Sequence, residues 1–201
     1  MTTRLCSTFL ALVFLIVLSA CTAGEPSSKA LEEGSIPVDQ FHSEDGTFQY
    51  AQLPIGITKE EAAKRLGVED LGPVIAGTGD VATYSPVNQV TYEGQQATVL
   101  LEFQGDGLTL VQFNFLSHEE ETLTPIHEKL TQQLYELYGI YSSSQTEHPP
   151  YYFDASNWDT HLAGDLTRLT LLFNRVEQED GSIAANLSIS VGKMVYAGET
   201  N

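Results

Sequence analysis

Five histidines, His42, His118, His127, His148 and His161, and two cysteines, Cys6 and Cys21, are the side chains best suited to metal or nucleophile chemistry in this 201-residue chain. A zinc protease needs two histidines one helical turn apart with a glutamate beside the first, and a structural zinc site needs paired cysteines. Neither spacing occurs. No Gly-x-Ser-x-Gly elbow is present to expose a nucleophilic serine, and Ser27, Ser28 and Lys29 sit in a polar stretch that reads as solvated linker. The glycine-rich run Ile75 to Asp80 lacks the Lys-Ser/Thr pair of a phosphate loop and is expected to be a surface loop. The Asp-Gly turns lack the ladder of oxygen ligands and the closing glutamate of a calcium loop. No catalytic residue, metal or cofactor is therefore expected, although paired carboxylates, as in glycoside hydrolysis, keep a small hydrolase as the alternative.

Charge excludes a further class. The chain carries 9 Lys and Arg against 27 Asp and Glu, a net charge of −18. Phosphate backbones are gripped by clustered cations that release counterions, so nucleic acid is not a partner. With 42% hydrophobic residues the chain can bury a core and is not an acidic disordered tail. The one local concentration of recognition-type side chains is aromatic. Tyr135, Tyr138, Tyr141, Tyr151, Tyr152, Phe153 and Trp158 crowd a helix end and the loop at His148-Pro149-Pro150. Exposed Tyr and Trp are favoured anchors at interfaces. Tyr138 and Trp158 are expected to cover the core, and Tyr141, Tyr151 and Tyr152 to meet a partner.

At the N-terminus, Arg4 is followed by the unbroken apolar run Phe9 to Leu18 and then by Ser19, Ala20 and Cys21. This is a secretory signal pattern, and the run is shorter than the roughly twenty apolar residues needed to span a bilayer. Leu18-Ser19-Ala20-Cys21 resembles the lipobox of bacterial lipoproteins. The resemblance implies that residues 1–20 are removed, that Cys21 is lipidated, as by palmitate, and that the protein sits on the extracytoplasmic side of a bacterial cell or outer membrane. Without the leader, eight cations face 27 acids and Cys21 is the only cysteine left, so no intrachain disulfide can form. The acidity gives no grip on anionic lipid, which leaves anchoring to the acyl chains.

Residues 21–46 are rich in Gly, Ser, Pro and acids and read as the lipidated cysteine and a flexible tether, with a reach of roughly 25–30 Å. Residues 47–201 are then the folded domain. A helix is expected over 59–66, with Thr58 as N-cap, Glu61 completing a capping box and Gly67 closing the C-terminus. A longer helix is expected from Thr124-Pro125 to Gly139, burying Leu123, Ile126, Leu130, Leu134 and Leu137 at spacings of three and four.

Three alternating segments follow each helix, at about 86–93, 96–104 and 108–116, and at about 151–161, 166–175 and 182–191. Gly94 lies nine residues before Phe103, as Gly164 lies before Phe173, and ATVLLEF matches TRLTLLF in pattern. The expectation is an α+β domain of two helix-plus-three-strand repeats, forming a mostly antiparallel sheet of about six strands with both helices on one face. Val99, Leu101, Phe103, Val111, Phe113, Phe115, Leu169, Leu171, Phe173, Ile183, Leu187, Ile189 and Val191 would face the helices. Gln112, Asn114, Arg168, Thr170, Asn174, Asn186, Ser188 and Ser190 would line an open face, with Leu100 and Leu172 among them.

GITKEEAAKRLG, then VTYEG, ATVLLEF and a glycine-led hairpin, with LYELYG, Trp158 and LTLLF in the second copy, resemble the repeat unit of the β-lactamase inhibitor protein fold and of outer-membrane-assembly lipoproteins of the SmpA/OmlA type. In that fold the open sheet face binds a protein partner. The resemblance implies a lipid-anchored envelope binding module, with Tyr141, Tyr151, Tyr152, Gln112 and Asn114 toward a protein or glycan partner. The chain departs from the secreted inhibitors in lacking their disulfide cysteines, so β-lactamase inhibition is not implied. A small envelope hydrolase and a spacer without ligand remain the other readings.

Overall fold

A computed structural model describes residues 36–86, 89–162, 165–178 and 180–193. The signal segment, Cys21, the tether up to residue 35 and Gly164 lie outside the described residues. In chain order the described elements are α1 (Lys59–Leu66), β1 (Val74–Thr78), β2 (Val81–Tyr84), β3 (Gln89–Tyr92), β4 (Gln95–Gln104) and β5 (Gly107–Ser117). There follow α2 (Glu120–Tyr138), β6 (Ser142–His148), β7 (Tyr151–Leu162), β8 (Asp165–Glu177) and β9 (Ile183–Lys193).

The strands join in one nine-stranded sheet, in the order β1-β2-β4-β5-β9-β8-β7-β6, with β3 beside β4. Every pairing is antiparallel. β2 takes the Leu101–Gln104 stretch of β4 and β3 takes Gln95–Thr98, so the two short strands share one edge of β4. This overturns the expected architecture of two helix-plus-three-strand repeats on about six strands: the fold is a β-rich, nine-stranded sheet with two α-helices among the described residues.

The six expected strands are present, and three more come from segments not expected to be strands. Ile75 to Asp80 is not a surface loop but most of a hairpin, in which Val74↔Tyr84 and Thr78↔Val81 pair across a Gly79-Asp80 turn. Ser142 to His148 forms β6, all of it exposed, along the edge of β7. Its SSSQTEH sequence has no apolar alternation, and an edge strand with water on its outer side needs none.

Helix α1 begins at the expected Thr58 cap, but only half of the capping box forms, because the Glu61 carboxylate accepts from Arg65 instead. The Glu61 amide donates to Thr58 Oγ1 at 3.2 Å, and Gly67 closes the helix at φ 70°, a left-handed conformation that suits glycine. Helix α2 begins at Glu120 rather than Thr124, which leaves Pro125 inside the helix. The bond lost to the proline would have used the Glu121 carbonyl, and Glu121 is exposed to water. Leu123, Ile126, Leu130 and Leu134 are buried as the spacing requires, whereas Leu137 is 49% exposed. Each fully buried leucine contributes about 1.5–3 kcal/mol.

The core lies between the helices and one sheet face. Val99, Leu101, Phe103, Val111, Phe113, Phe115, Leu169, Leu171, Phe173, Leu187, Ile189 and Val191 are buried there, and Ile183 is half-buried. The segment assigned to the tether contributes as well. Ile36 and Phe41 are buried, Phe41 meets the ring of Phe113 at 5.8 Å, and the Ile36 amide donates to the Thr91 carbonyl. Three apolar side chains among eleven residues, Ile36, Val38 and Phe41, did not produce a period, but they are enough to draw residues 36–46 into the core, so the domain begins at or before Ile36.

Candidate functional site

Helix α2 carries two neighbouring stripes. The leucine stripe enters the core, and the next stripe around the helix, Glu120, Thr124, His127, Thr131 and Tyr135, repeats at spacings of three and four and faces a groove. The opposite wall comes from the sheet. In the β7–β8 register Tyr152 pairs with Arg175 and Asp154 with Phe173. Because Phe173 points into the core, these side chains lie on the helix side of the sheet. Glu128, Gln132, Ile140 and Tyr141 complete a groove of about 790 Å³, within the size range of small-molecule pockets.

Its walls are aromatic and interlocked. His127 stacks on Phe173 with ring centres 5.2 Å apart and planes 17° apart. Tyr135 and Tyr141 meet edge to face at 6.5 Å, and Tyr141 packs on Trp158 at 4.9 Å. Trp158 is fixed in turn, its indole N–H donating to the Gly139 carbonyl at 3.0 Å. At the other end Arg175 donates to Glu120 Oε1 at 2.6 Å, and its guanidinium carbon lies 4.5 Å from the centre of the Tyr152 ring.

Two polar groups in this groove stand out electrostatically. The His127 Nε2 atom is buried with no hydrogen-bond partner. Burial holds the His127 imidazole below its ordinary pKa, against the opposing pull of Asp154 and Glu128, which favours the neutral ring. Asp154 keeps one carboxylate oxygen on the Gln145 amide at 3.0 Å. Among the described residues, no group of three or more His, Cys, Asp or Glu side chains is placed to hold a metal ion, and no helix is long and apolar enough to cross a membrane.

The five residues expected to meet a partner do not form one site. Tyr141 and Tyr152 line the groove on the helix side. Tyr151, Gln112 and Asn114 lie on the opposite face, where Tyr151 pairs with Val176, Gln112 with Ser190 and Asn114 with Ser188. Tyr151 contributes to a smaller recess of about 210 Å³ with Pro149, Pro150 and Ile183. Asn114 is engaged, its Oδ1 accepting the Asn186 amide at 2.5 Å. Adjacent residues on a strand point to opposite faces, yet at the first residues of β7 the smaller recess takes in both Tyr151 and Tyr152, with Arg175 beside them. Asp154, Arg175 and Glu120 were passed over in the sequence, and His127 was weighed only as a metal ligand. The signal that would have found them was the second α2 stripe, read together with the strand alternation of β7. No family model, curated protein or solved structure matches this chain, so the functional reading rests on the groove.

Proposed function

We propose that this chain is a non-catalytic binding module of a bacterial cell envelope, anchored through lipid on Cys21 and receiving an envelope component in the groove between α2 and β7–β8. One observation carries the reading: an aromatic-walled groove of about 790 Å³ that contains a buried, unpartnered His127 nitrogen. Leaving a buried polar atom unpaired costs about 1–3 kcal/mol, which a bound molecule or water would relieve. Concave apolar surface with a few convergent polar groups is the usual form of a ligand site. The envelope address rests on the Leu18-Ser19-Ala20-Cys21 signal, and the tether after Cys21 would hold the groove away from the lipid surface.

The reading is tested by site-specific photocrosslinking in cells. A crosslinker at Gln132, exposed on the groove rim, is expected to give a discrete adduct, whereas one at Leu116, 72% exposed on the opposite face, gives none. Equal labelling at both positions, or none at either, removes the groove as the site. Lipid labelling checks the anchor: the protein made with labelled palmitate is expected to carry label that Cys21→Ser loses, and equal labelling of the two refutes lipidation at Cys21.

A further inference from the structure

The groove carries more acid than base, and that imbalance bears on its ligand. Glu120, Glu128 and Asp154 line it against the single guanidinium of Arg175. Glu120 and Arg175 neutralise each other at 2.6 Å. Neither Glu128 nor Asp154 has a cationic partner among the described residues, and the imidazole between them is held toward neutrality by burial. Two uncompensated carboxylates thus face a cavity walled by tyrosines. Anions are repelled from such a site. A bare metal ion would need more oxygen ligands in reach than the groove offers, because hard cations take six or more.

The protein itself shows how an organic cation is held there. Arg175 lies over the Tyr152 ring at 4.5 Å while a carboxylate holds its far side. Tyr135 and Tyr141, set edge to face at 6.5 Å, offer further ring surface over which no cation lies among the described residues. Ile140, 88% exposed, and Tyr135, 51% exposed, add apolar surface at the mouth. Aromatic faces attract ammonium groups, and alkyl stems lie along apolar surface while their charged heads seek carboxylates.

Building on the binding-module reading, we infer that the groove binds an aliphatic amine, an alkyl chain bearing primary ammonium groups. The ammonium group sits at Asp154 and Glu128 and the chain lies against Tyr135 and Tyr141. The cavity size favours a free small amine over a side chain presented by a folded partner, whose bulk would have to approach past the α2 rim.

The test titrates the full chain, in detergent, with spermidine at an ionic strength of about 0.15 M, where diffuse attraction beyond about 8 Å is screened. The readouts are calorimetry and NMR shifts of the His127 and Tyr135 amides. Saturable one-to-one binding is expected, weakened about tenfold by Asp154→Asn and about threefold by Tyr135→Ala, the sizes expected of a lost charge pair and a lost cation–π contact. Glu128→Gln, at an exposed position that cannot threaten folding, should also weaken it, and Glu69→Gln, outside the groove, should leave it unchanged. Equal binding by wild type and both groove carboxylate variants, or displacement of spermidine by magnesium chloride at matched ionic strength, would reduce the effect to counterion attraction and overturn the assignment. If a neutral oligosaccharide such as maltotriose shifts the groove amides and spermidine does not, the amine assignment falls while the binding-module reading stands. If no probe shifts them and Gln132 yields no adduct, both fall.

Discussion

Tyr138, in the last turn of α2, accepts the backbone N–H of Phe41 at 3.2 Å from 97 residues away, and its hydroxyl donates to the Val38 carbonyl at 2.6 Å. One phenol thereby ties the segment preceding the first helix to the end of the second. The ring closes the same junction, meeting Phe48 edge to face at 5.6 Å and His42 at 6.0 Å. The stretch from Val38 to Phe48 is therefore part of the cooperative unit and not a leash.

Tyr138→Phe should measure that junction. The substitution keeps the ring and removes both hydrogen bonds, leaving the Phe41 N–H without its partner. The expected loss is about 1–3 kcal/mol in urea unfolding, with an unchanged m-value. Amide exchange at Phe41 should accelerate beyond the global change. A loss below a few tenths of a kcal/mol would mean that the segment is held by its apolar contacts alone.

What could be read in the chain was what depends on period and caps. Thr58, Glu61 and Gly67 bound α1 at the expected residues, and the alternation around Phe103, Phe113 and Phe173 identified the buried face. What escaped was decided by neighbours. β6 is polar throughout and exists because β7 offers it an edge, and β1, with no buried residue, depends on β2 in the same way. Such strands leave no alternating signature because they bury none of their side chains. The site was legible only in part. Tyr141 and Tyr152 were recognisable as aromatics, but the groove needs His127 from α2, Asp154 from β7 and Arg175 from β8, and only the sheet register and the helix packing bring them together.

Gly192 marks the closest backbone approach in the central part of the sheet. It sits at φ +153°, and a Cβ there would lie 2.2 Å from the Thr109 carbonyl oxygen and 3.1 Å from Ile55 Cδ1. Gly192 also pairs with Leu110 where β5 meets β9. Gly192→Ala must push these strands apart or deform them, at an expected cost of about 1–3 kcal/mol or more. A thermal melt checks this, and a Tm within a degree or two of wild type would show that the β5–β9 junction yields easily.

Acid should weaken the fold through His127. Its imidazole is held below the ordinary histidine pKa chiefly by burial, with Asp154 and Glu128 opposing and Arg175 lining the same groove. The unfolded chain therefore takes up a proton that the folded chain resists. The contribution is neutral well above about pH 6.5 and turns destabilising as pH falls through that value toward the lower folded pKa. Asp45 titrates elsewhere: the Ser43 hydroxyl and the Thr47 hydroxyl and amide hold its carboxyl down at about 2, so any stability it lends fades only in stronger acid. The urea midpoint should drop between pH 7.5 and 5.5, and His127→Phe, which keeps a ring on Phe173, should flatten the drop. Identical pH profiles for the two proteins would assign the effect to other groups.

Arg175 separates the stability of the groove from its selectivity. Its guanidinium pairs with Glu120 and covers Tyr152, with the two side chains of the pair 33% and 22% exposed. A pair still partly open to water contributes little, about 0–1 kcal/mol, and a partly desolvated cation–π contact adds about as much. Arg175→Met should therefore cost about 1–2 kcal/mol, somewhat more than Glu120→Gln, because only the first change also uncovers the ring. The effect on spermidine should run the other way. Removing the only guanidinium in the groove frees Glu120 and one face of Tyr152, so affinity should rise about threefold or more even as the protein loses stability. Calorimetry on both variants, alongside their unfolding curves, decides the matter. If Arg175→Met weakens amine binding in step with stability, Arg175 is holding the groove open and not competing for it, and the free ring and carboxylate are not the surface the amine uses.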